Sequence, residues 1–495
     1  MIALDFNRSS SRLRAVPVTP PPEGFVELFL AQAEARPDAI AIEAGAELIS
    51  YGALRRRMER MRGALESKGV AEGDRVLVCL PSGPDLIAAF YALASMRAVA
   101  MPVSPSLTAH ELAPMLADAR PVGAIVTQSA DAPDGLRFAL VCSEVEGGPR
   151  RTLAAPSGDP VVTCHFTYKG VGHPLGVLHR YSAWAYSLRG FIERHGGEQG
   201  DVHLVCLPMY PVYGLTVSVM WPLAVGARVL VADPDAERLL ELLTTRRVRV
   251  ACLVPVLLHM LCARARRVGL DRASLHPDLE LKCGGSDLGE ALSNEVREVF
   301  GVVPHEGYGL TEALIVASNF PGRVRPASLG FALADEVRVG VVDARGRSVA
   351  PGRVGEITVT GPTVFRGYLG RPSETARFLR SGVLHTGDLG HFDEEGFLRF
   401  DGRALPITKI SAQMVDLREV EDLLCQHPDV VDARVVVRTG ANGAERLAAA
   451  VVPRRSSMVT PDALLAFCRE RLSRHKVPKT LTFHQRELVA KETLR

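Results

Sequence analysis

The chain has 495 residues, 47% hydrophobic and 23% charged, with 58 basic against 56 acidic side chains and a formal net charge of +2. Such a length exceeds one ordinary hydrophobic core and predicts two or three domains, while the near balance of charge gives no global reason to expect nucleic acid or a membrane surface as partner. The nine cysteines, from Cys79 to Cys468, are scattered without a Cys-x-x-Cys pair or a His cluster at metal spacing, so reduced core thiols and a cytoplasmic location are expected. No apolar run approaches the ~20 residues that span a bilayer, and the charged N-terminus (Asp5, Arg8, Arg12, Arg14) lacks the apolar segment of a signal peptide.

Residues 1–22 are polar and contain Pro17, Pro20, Pro21 and Pro22, which reads as an extended arm. A helix is predicted over Phe25–Ala35, a short strand and turn over Leu48–Tyr51, and an amphipathic helix over Gly52–Lys68 with Leu54, Met58, Met61 and Leu65 on one face. Its Arg55, Arg56 and Arg57 read as a solvated face. Apolar strands then alternate with helices: strands at Arg75–Leu80, Ala98–Val103, Gly123–Val126, Val161–Cys164, His203–Leu207, Arg228–Ala232 and Val248–Val254, with a helix at Asp85–Ala94 among them. This alternation predicts α/β layers with largely parallel sheets. From about Val337 the pattern turns to short strands and Gly/Pro turns, such as Gly355–Val359, and predicts a smaller β subdomain. After Arg403, helices at Glu419–Cys425 and Pro461–Leu472 and strands at Ala433–Arg438 and Ala448–Val452 predict a small α+β unit.

Three segments carry chemistry. The run Glu306-Gly307-Tyr308-Gly309-Leu310-Thr311-Glu312 joins two glycines to a ring, a hydroxyl and a carboxylate. Glycine admits a close ligand, Thr311 can donate to a phosphate oxygen, Glu312 can hold Mg²⁺, and Tyr308 offers a face to a base; the run also reads as a plain strand-to-helix turn. The Gly-rich stretch Phe166-Thr167-Tyr168-Lys169-Gly170-Val171-Gly172-His173-Pro174-Leu175-Gly176-Val177 follows a predicted strand, where backbone N–H groups can wrap phosphate or simply turn at the surface. Leu384-His385-Thr386-Gly387-Asp388-Leu389-Gly390, with Asp401-Gly402-Arg403 behind it, is either an Asx turn or a carboxylate placed for two ribose hydroxyls.

In this order and spacing the segments resemble the adenylate-forming superfamily of acyl- and aryl-CoA synthetases, peptide-synthetase adenylation domains, luciferases and amide ligases. Gly73-Asp74-Arg75-Val76, Val99-Ala100-Met101-Pro102-Val103 and Gly355-Glu356-Ile357 belong to the same resemblance, which runs from about residue 24 to the C-terminus. It implies an α/β fold: a large N-terminal domain, residues 1–403, of two αβ layers plus a distorted β-barrel, and a small α+β lid, residues 404–495. It implies ATP and Mg²⁺ as cofactors, a small carboxylic acid as substrate, and CoA or an amine as acceptor. Position by position, Thr167, Lys169, Gly170 and Gly172 fall in the phosphate loop. Thr311 matches the phosphate residue and Glu312 the Mg²⁺ ligand. Tyr308 and Gly309 match one side of adenine, and Gly285, Ser286 and Asp287 the other. Asp388 and Arg403 match the ribose contacts, and Lys409 the lysine that faces the site in the second lid position. Tyr210, Tyr213 and Gly214 fall in the acyl pocket. The aromatics Tyr210, Tyr213 and Trp221 read either as a lean toward a small aryl or cyclic acid or as plain core residues.

The chain departs from the family pattern in several places. The loop's hydroxyl-rich centre is Tyr168-Lys169-Gly170-Val171, and its lysine position holds Leu175. The hinge residue is Leu405, followed by Pro406; Ala412 stands where a glycine is expected, and Pro211 where a histidine is common. The tail cation that serves adenylation is either Lys491 or Arg495, an exchange that changes donor geometry. The expected activity is ATP-dependent acid activation and transfer to CoA, with direct amide formation, or non-catalytic nucleotide or acyl binding, as alternatives.

Overall fold

The computed structural model describes residues 23–145, 147–285, 288–405, 407–410, 413–439, 445–454 and 457–484. The expected arm, Ser286, Asp287, Pro406, Ala412, Lys491 and Arg495 lie outside them.

Short aliphatic runs form the central strands. Val76, Leu77, Ala100, Met101, Ala124 and Ile125 are fully shielded from solvent, as befits strands of a parallel sheet covered on both faces. In the first sheet Val161–Thr167, Val99–Pro102, Arg75–Cys79, Gly123–Val126 and Phe138–Val141 lie side by side in parallel, and Leu175–Arg180 and then Gly367–Tyr368 add antiparallel at one edge. A second sheet runs in parallel through Ile40–Ala44, Arg228–Val231, Val202–Val205, Val250–Leu253, Glu280–Cys283 and His305–Leu310. It ends antiparallel at Glu47–Ser50 on one side and at Leu314–Ser318 and Phe331–Ala332 on the other. One apolar core joins the two sheets, with Ile42 and Val76 in the same cluster.

The helix Tyr51–Ser67 shows how local pattern and packing agree. Ser50 caps it by accepting from Ala53 N, Leu54, Met58, Met61 and Leu65 are buried, and Arg55 and Arg57 pair at the rim with Glu59 and Asp85. The β subdomain is antiparallel: Arg338–Val342, Gly355–Thr360, Val383–Phe392 and Leu379–Arg380 in order, with Leu398–Arg403 also on Val383–Phe392. Its described pairings leave an open sheet rather than a closed barrel.

The small domain has its own core around Val415, Val420, Leu424, Val435 and Leu464. It holds the hairpin Ile407–Ile410 and Gln413–Asp416, the helices Leu417–Cys425 and Pro461–Arg471, and a sheet of Val430–Thr439, Glu445–Pro453 and Thr480–Phe483. Glu111 docks this domain. It closes the capping box of the helix Ala109–Ala119 through Thr108 N at 3.0 Å, and its carboxylate also takes Ser473 N at 2.9 Å and Lys476 Nζ at 2.8 Å. Lys476 reaches Glu419 at 2.9 Å and the phenol of Tyr168 at 3.0 Å as well.

Candidate active site

The Gly-rich stretch is a strand, a turn and a strand. Thr167 pairs with Leu175 in antiparallel register, so only residues 168–174 turn, and the reading of 166–177 as one loop is corrected. Leu175 is fully buried in the same cluster as Tyr308, with Val177 beside it on the same face of the strand. Gly170 and Gly172 have φ of 69° and 82°, a region L-residues with side chains avoid. Gly172 N donates to Asp416 Oδ2 at 3.1 Å, so a small-domain carboxylate sits on the loop.

The run ending at Glu312 is a hairpin, not a strand-to-helix turn. His305–Leu310 returns through residues 311–313 into Leu314–Ser318. The returning Leu-Ile-Val-Ala-Ser segment is entirely buried and β-branched at its centre, which favours a strand. Gly309 is required by space, since a Cβ there would lie 2.5 Å from Leu314 O. His179 Nε2 donates to Thr311 O at 2.6 Å and steadies the turn; burial pushes that imidazole down to about 4.

Asp388 lies inside the strand Val383–Phe392, opposite Arg403 on Leu398–Arg403. Gly387, at φ 76°, kinks that strand, and Thr386 Oγ1 accepts from Asp388 N at 3.0 Å while donating to Ile357 O at 2.7 Å. The carboxylate is thereby aimed at two partners: Arg403 Nε donates to Oδ1 at 2.9 Å, and Tyr308 O–H to Oδ2 at 2.8 Å. Burial, then the charge of Asp388, raise the Tyr308 phenol well above its usual range, so it remains a donor.

Glu312 is buried. Its Oε1 accepts from Tyr368 O–H at 2.7 Å and faces Lys169 Nζ at 3.2 Å. Lys169 also donates to Thr386 O at 3.1 Å. Lys409, on the hairpin of the small domain, lines the same cavity. Burial first, then the cations Arg403 and Lys169, push its amine down to about 8 against the opposing pull of Asp388 and Glu312.

These groups meet in one cavity of ≈ 360 Å³. Thr167, Lys169, Gly285, Tyr308, Gly309, Thr311, Glu312, Asp388, Arg403 and Lys409 border its polar part. Tyr210, Tyr213 and Gly214 border it beside the apolar Val254 and Ile315. A Cβ on Gly214 would stand 1.8 Å from Pro208 O, and one on Gly284 2.7 Å from the Tyr213 ring, so two glycines seat that ring against backbone. Trp221 does not border the cavity: it donates to Gly196 O at 2.8 Å and packs on Phe191 and His203 in the core. It therefore contributes nothing to the acid pocket.

Reading along the chain gave no role to Tyr368, Glu419 or Lys476, polar side chains whose partners Glu312, Tyr168 and Glu111 are remote in sequence, so no local pattern marks them. Glu111 and Thr386 do carry local signals, a capping box with Thr108 and a turn onto Asp388 N, but their remote partners Lys476 and Ile357 have none. Tyr168 had a visible signal, a large ring in place of a small hydroxyl, but its partners Lys476 and Glu419 are on the other domain.

The chain belongs to the AMP-binding enzyme family. The family model matches residues 29–369, and the model of the AMP-binding enzyme C-terminal domain matches residues 419–492. It is thus a ligase of the AMP-forming class, of acid–thiol or acid–amine type. A 2-succinylbenzoate–CoA ligase of Bacillus cereus is 30% identical over 90% of this chain and 92% of its own length. An indoleacetate–CoA ligase of Aromatoleum aromaticum is 30% identical over 88% of this chain and 89% of its own. The solved structure of the amide bond synthetase McbA from Marinactinospora thermotolerans superposes with a TM-score of 0.84 at 25% identity, covering 94% of this chain and 97% of that one. Among the described residues no helix is long and apolar enough to cross a membrane.

Proposed function

We propose that the cavity binds ATP and a small aryl or cyclic carboxylic acid, joins them as an acyl-adenylate with release of pyrophosphate, and passes the acyl group to CoA. The observation that carries this is the convergence of Tyr308, Thr311, Glu312, Asp388, Arg403 and Lys409 on one cavity from three separated stretches and two domains. Residues 1–403 act as the adenylation domain and 404–495 as the lid.

In this reading Asp388 takes the ribose hydroxyls, with Arg403 fixing its carboxylate and Tyr308 yielding Oδ2 to the sugar. The Tyr308 ring and Gly285 flank the base, and Ser286 and Asp287 serve adenine binding by family resemblance. Thr311 holds a phosphate oxygen, and the loop amides of Gly170 and Gly172 join it once Asp416 has left Gly172 N. The acid's carboxylate attacks the α-phosphorus, and the bond to pyrophosphate breaks. A cationic surround offsets the approach of two anions; Lys169 and Arg403 supply part of it, and Lys491 or Arg495 completes it from the tail. The acceptor then bonds to the acyl carbon, and AMP leaves.

Mg²⁺ accompanies ATP in this chemistry and offsets charge on its phosphates. Glu312 offers one free oxygen, Oε2, which accepts no hydrogen bond. Its other oxygen is held by Tyr368 and Lys169. The small-domain placement, with Lys409 in the cavity and Asp416 on Gly172 N, suits the transfer half-reaction.

An amine as acceptor is the second reading, since the chain superposes on an amide bond synthetase as closely as on an o-succinylbenzoate CoA synthetase. Pyrophosphate exchange with a panel of aryl and cyclic acids tests activation. AMP release with CoA, then with amines, decides the acceptor. No exchange with any acid would overturn the proposal.

A further inference from the structure

Lys169 sits where a phosphate loop would reach its ligand, yet it does not point outward. It is 4% exposed. Its ammonium lies 3.2 Å from Glu312 Oε1 and 3.1 Å from Thr386 O, with the Phe378 ring 5.6 Å away. Tyr368 O–H holds the same Oε1 at 2.7 Å. A carboxylate as buried as Glu312 needs a compensating charge, and here that charge is supplied by the chain.

A divalent ion fits poorly beside it. Mg²⁺ demands near-octahedral oxygen ligands and keeps several waters, whereas Glu312 is 1% exposed, its Oε1 is taken twice over, its Oε2 is the single oxygen left without a hydrogen bond, and the adjoining cation is fixed. Among the described residues Glu312 belongs to no cluster of three ligand side chains; the one such cluster is His195, Glu280 and His305. As they stand, the residues around Glu312 do not fit a resident divalent ion.

We propose that Lys169 is a built-in counter-cation for Glu312, standing where the family's glutamate would otherwise take a metal ion. An ammonium has three N–H donors. Two are directed to Glu312 and Thr386, and Lys169 borders the cavity, so the third is available to a phosphate oxygen. Glu312 then serves as the anchor that orients Lys169 rather than as a metal ligand. This rests on the reading of the cavity as an ATP site, but its test does not need adenylation.

The experiment is titration of the full chain with Mn²⁺ alone, followed by electron paramagnetic resonance, with no nucleotide or acid present. Wild type should show no Glu312-dependent binding. Lys169→Met, which keeps the packing against Phe378, and Lys169→Gly should each bind Mn²⁺ at least tenfold more tightly. Adding Glu312→Gln should erase that gain, and Lys169→Arg should stay as weak as wild type. Circular dichroism identifies which variants are folded. Binding in the wild type that Glu312→Gln removes, no tightening in a folded Lys169 variant, or a gain that survives Glu312→Gln would each overturn the proposal. Failure here leaves pyrophosphate exchange intact, whereas failure of the ATP reading removes exchange and leaves the Mn²⁺ result as it is.

Discussion

Glu111 of the large domain and Lys476 of the small domain meet at 2.8 Å, their side chains 0% and 2% exposed. Sequence separates them widely, and the pair fixes how the small domain sits over the cavity. Burial disfavours the Lys476 ammonium, but Tyr168, Glu419 and Glu111 outweigh it and hold the amine above its usual range. Burial likewise opposes the Glu111 charge, and Lys476, Ser473 and Thr108 outweigh it and lower that carboxyl below its usual value.

Removing one partner strands a buried charge, a loss of about 3–5 kcal/mol. Lys476→Met should therefore undock the small domain, seen as expansion in small-angle scattering and a lower unfolding midpoint. Because Glu111 is lowered in the folded state, its contribution is complete above its unfolded value of 4.5 and disappears as pH falls through the lowered folded value. Scattering that is unchanged in the variant would show that other contacts suffice.

Asp388 binds two groups that a nucleotide would share. Its replacement by Asn should weaken ATP binding by ~1.5–3 kcal/mol, the worth of a charged hydrogen bond, measured by calorimetry. Tyr308→Phe should cost less ribose affinity, since Arg403 still holds Oδ1. Unchanged affinity in Asp388→Asn would leave that residue a purely structural role in its strand.

Lys409 is pushed down to about 8, so its charge is complete at lower pH and fades as pH rises through that value. If the charged amine serves transfer, the rate of acyl transfer from a supplied acyl-adenylate should fall above pH ~8. Lys409→Arg keeps its charge and should remove that limb. A limb that stays in the arginine variant belongs to another group.

Gly214→Ala should be severely destabilising, because the new Cβ would stand 1.8 Å from the backbone oxygen of Pro208. Overpacking of this kind costs about 1–3 kcal/mol or more. Thermal unfolding should fall by several degrees, with Tyr213 displaced in the cavity. An unaltered midpoint would mean that the backbone at Pro208 yields freely.

Truncation after Leu488 removes Lys491 and Arg495. Pyrophosphate exchange should be lost, while transfer from a supplied acyl-adenylate should persist through Lys409. Single substitutions at Lys491 and Arg495 then identify the cation. Full exchange in the truncated chain would end the case for a tail cation.

Local pattern was enough for many elements and for the class of chemistry. The strand Gly123–Val126 and the helix Phe25–Ala35 have the predicted bounds, because a buried apolar run and a 3.6-residue period are properties of neighbouring residues. The glycines, Tyr308, Thr311, Glu312, Asp388 and Arg403 were also readable, since they cluster within short motifs. The hairpin after Thr311 was less so. Threonine and glutamate start helices as readily as they close turns, and the pairing of Leu314–Ser318 with His305–Leu310 and Phe331–Ala332 decides between them.

Sequence by itself determined the α/β class, the family and the identity of most groups around the cavity, because those depend on local periodicity and on motifs of adjacent residues. Tertiary structure alone decided the partners. It put Lys169 on Glu312, withdrew Leu175 and Trp221 into the core, and joined Glu111 to Lys476 across two domains. The physical reason is that a buried charge takes whichever opposite charge the fold brings within a few ångströms, and that neighbour is set by sheet order and domain docking, not by distance along the chain.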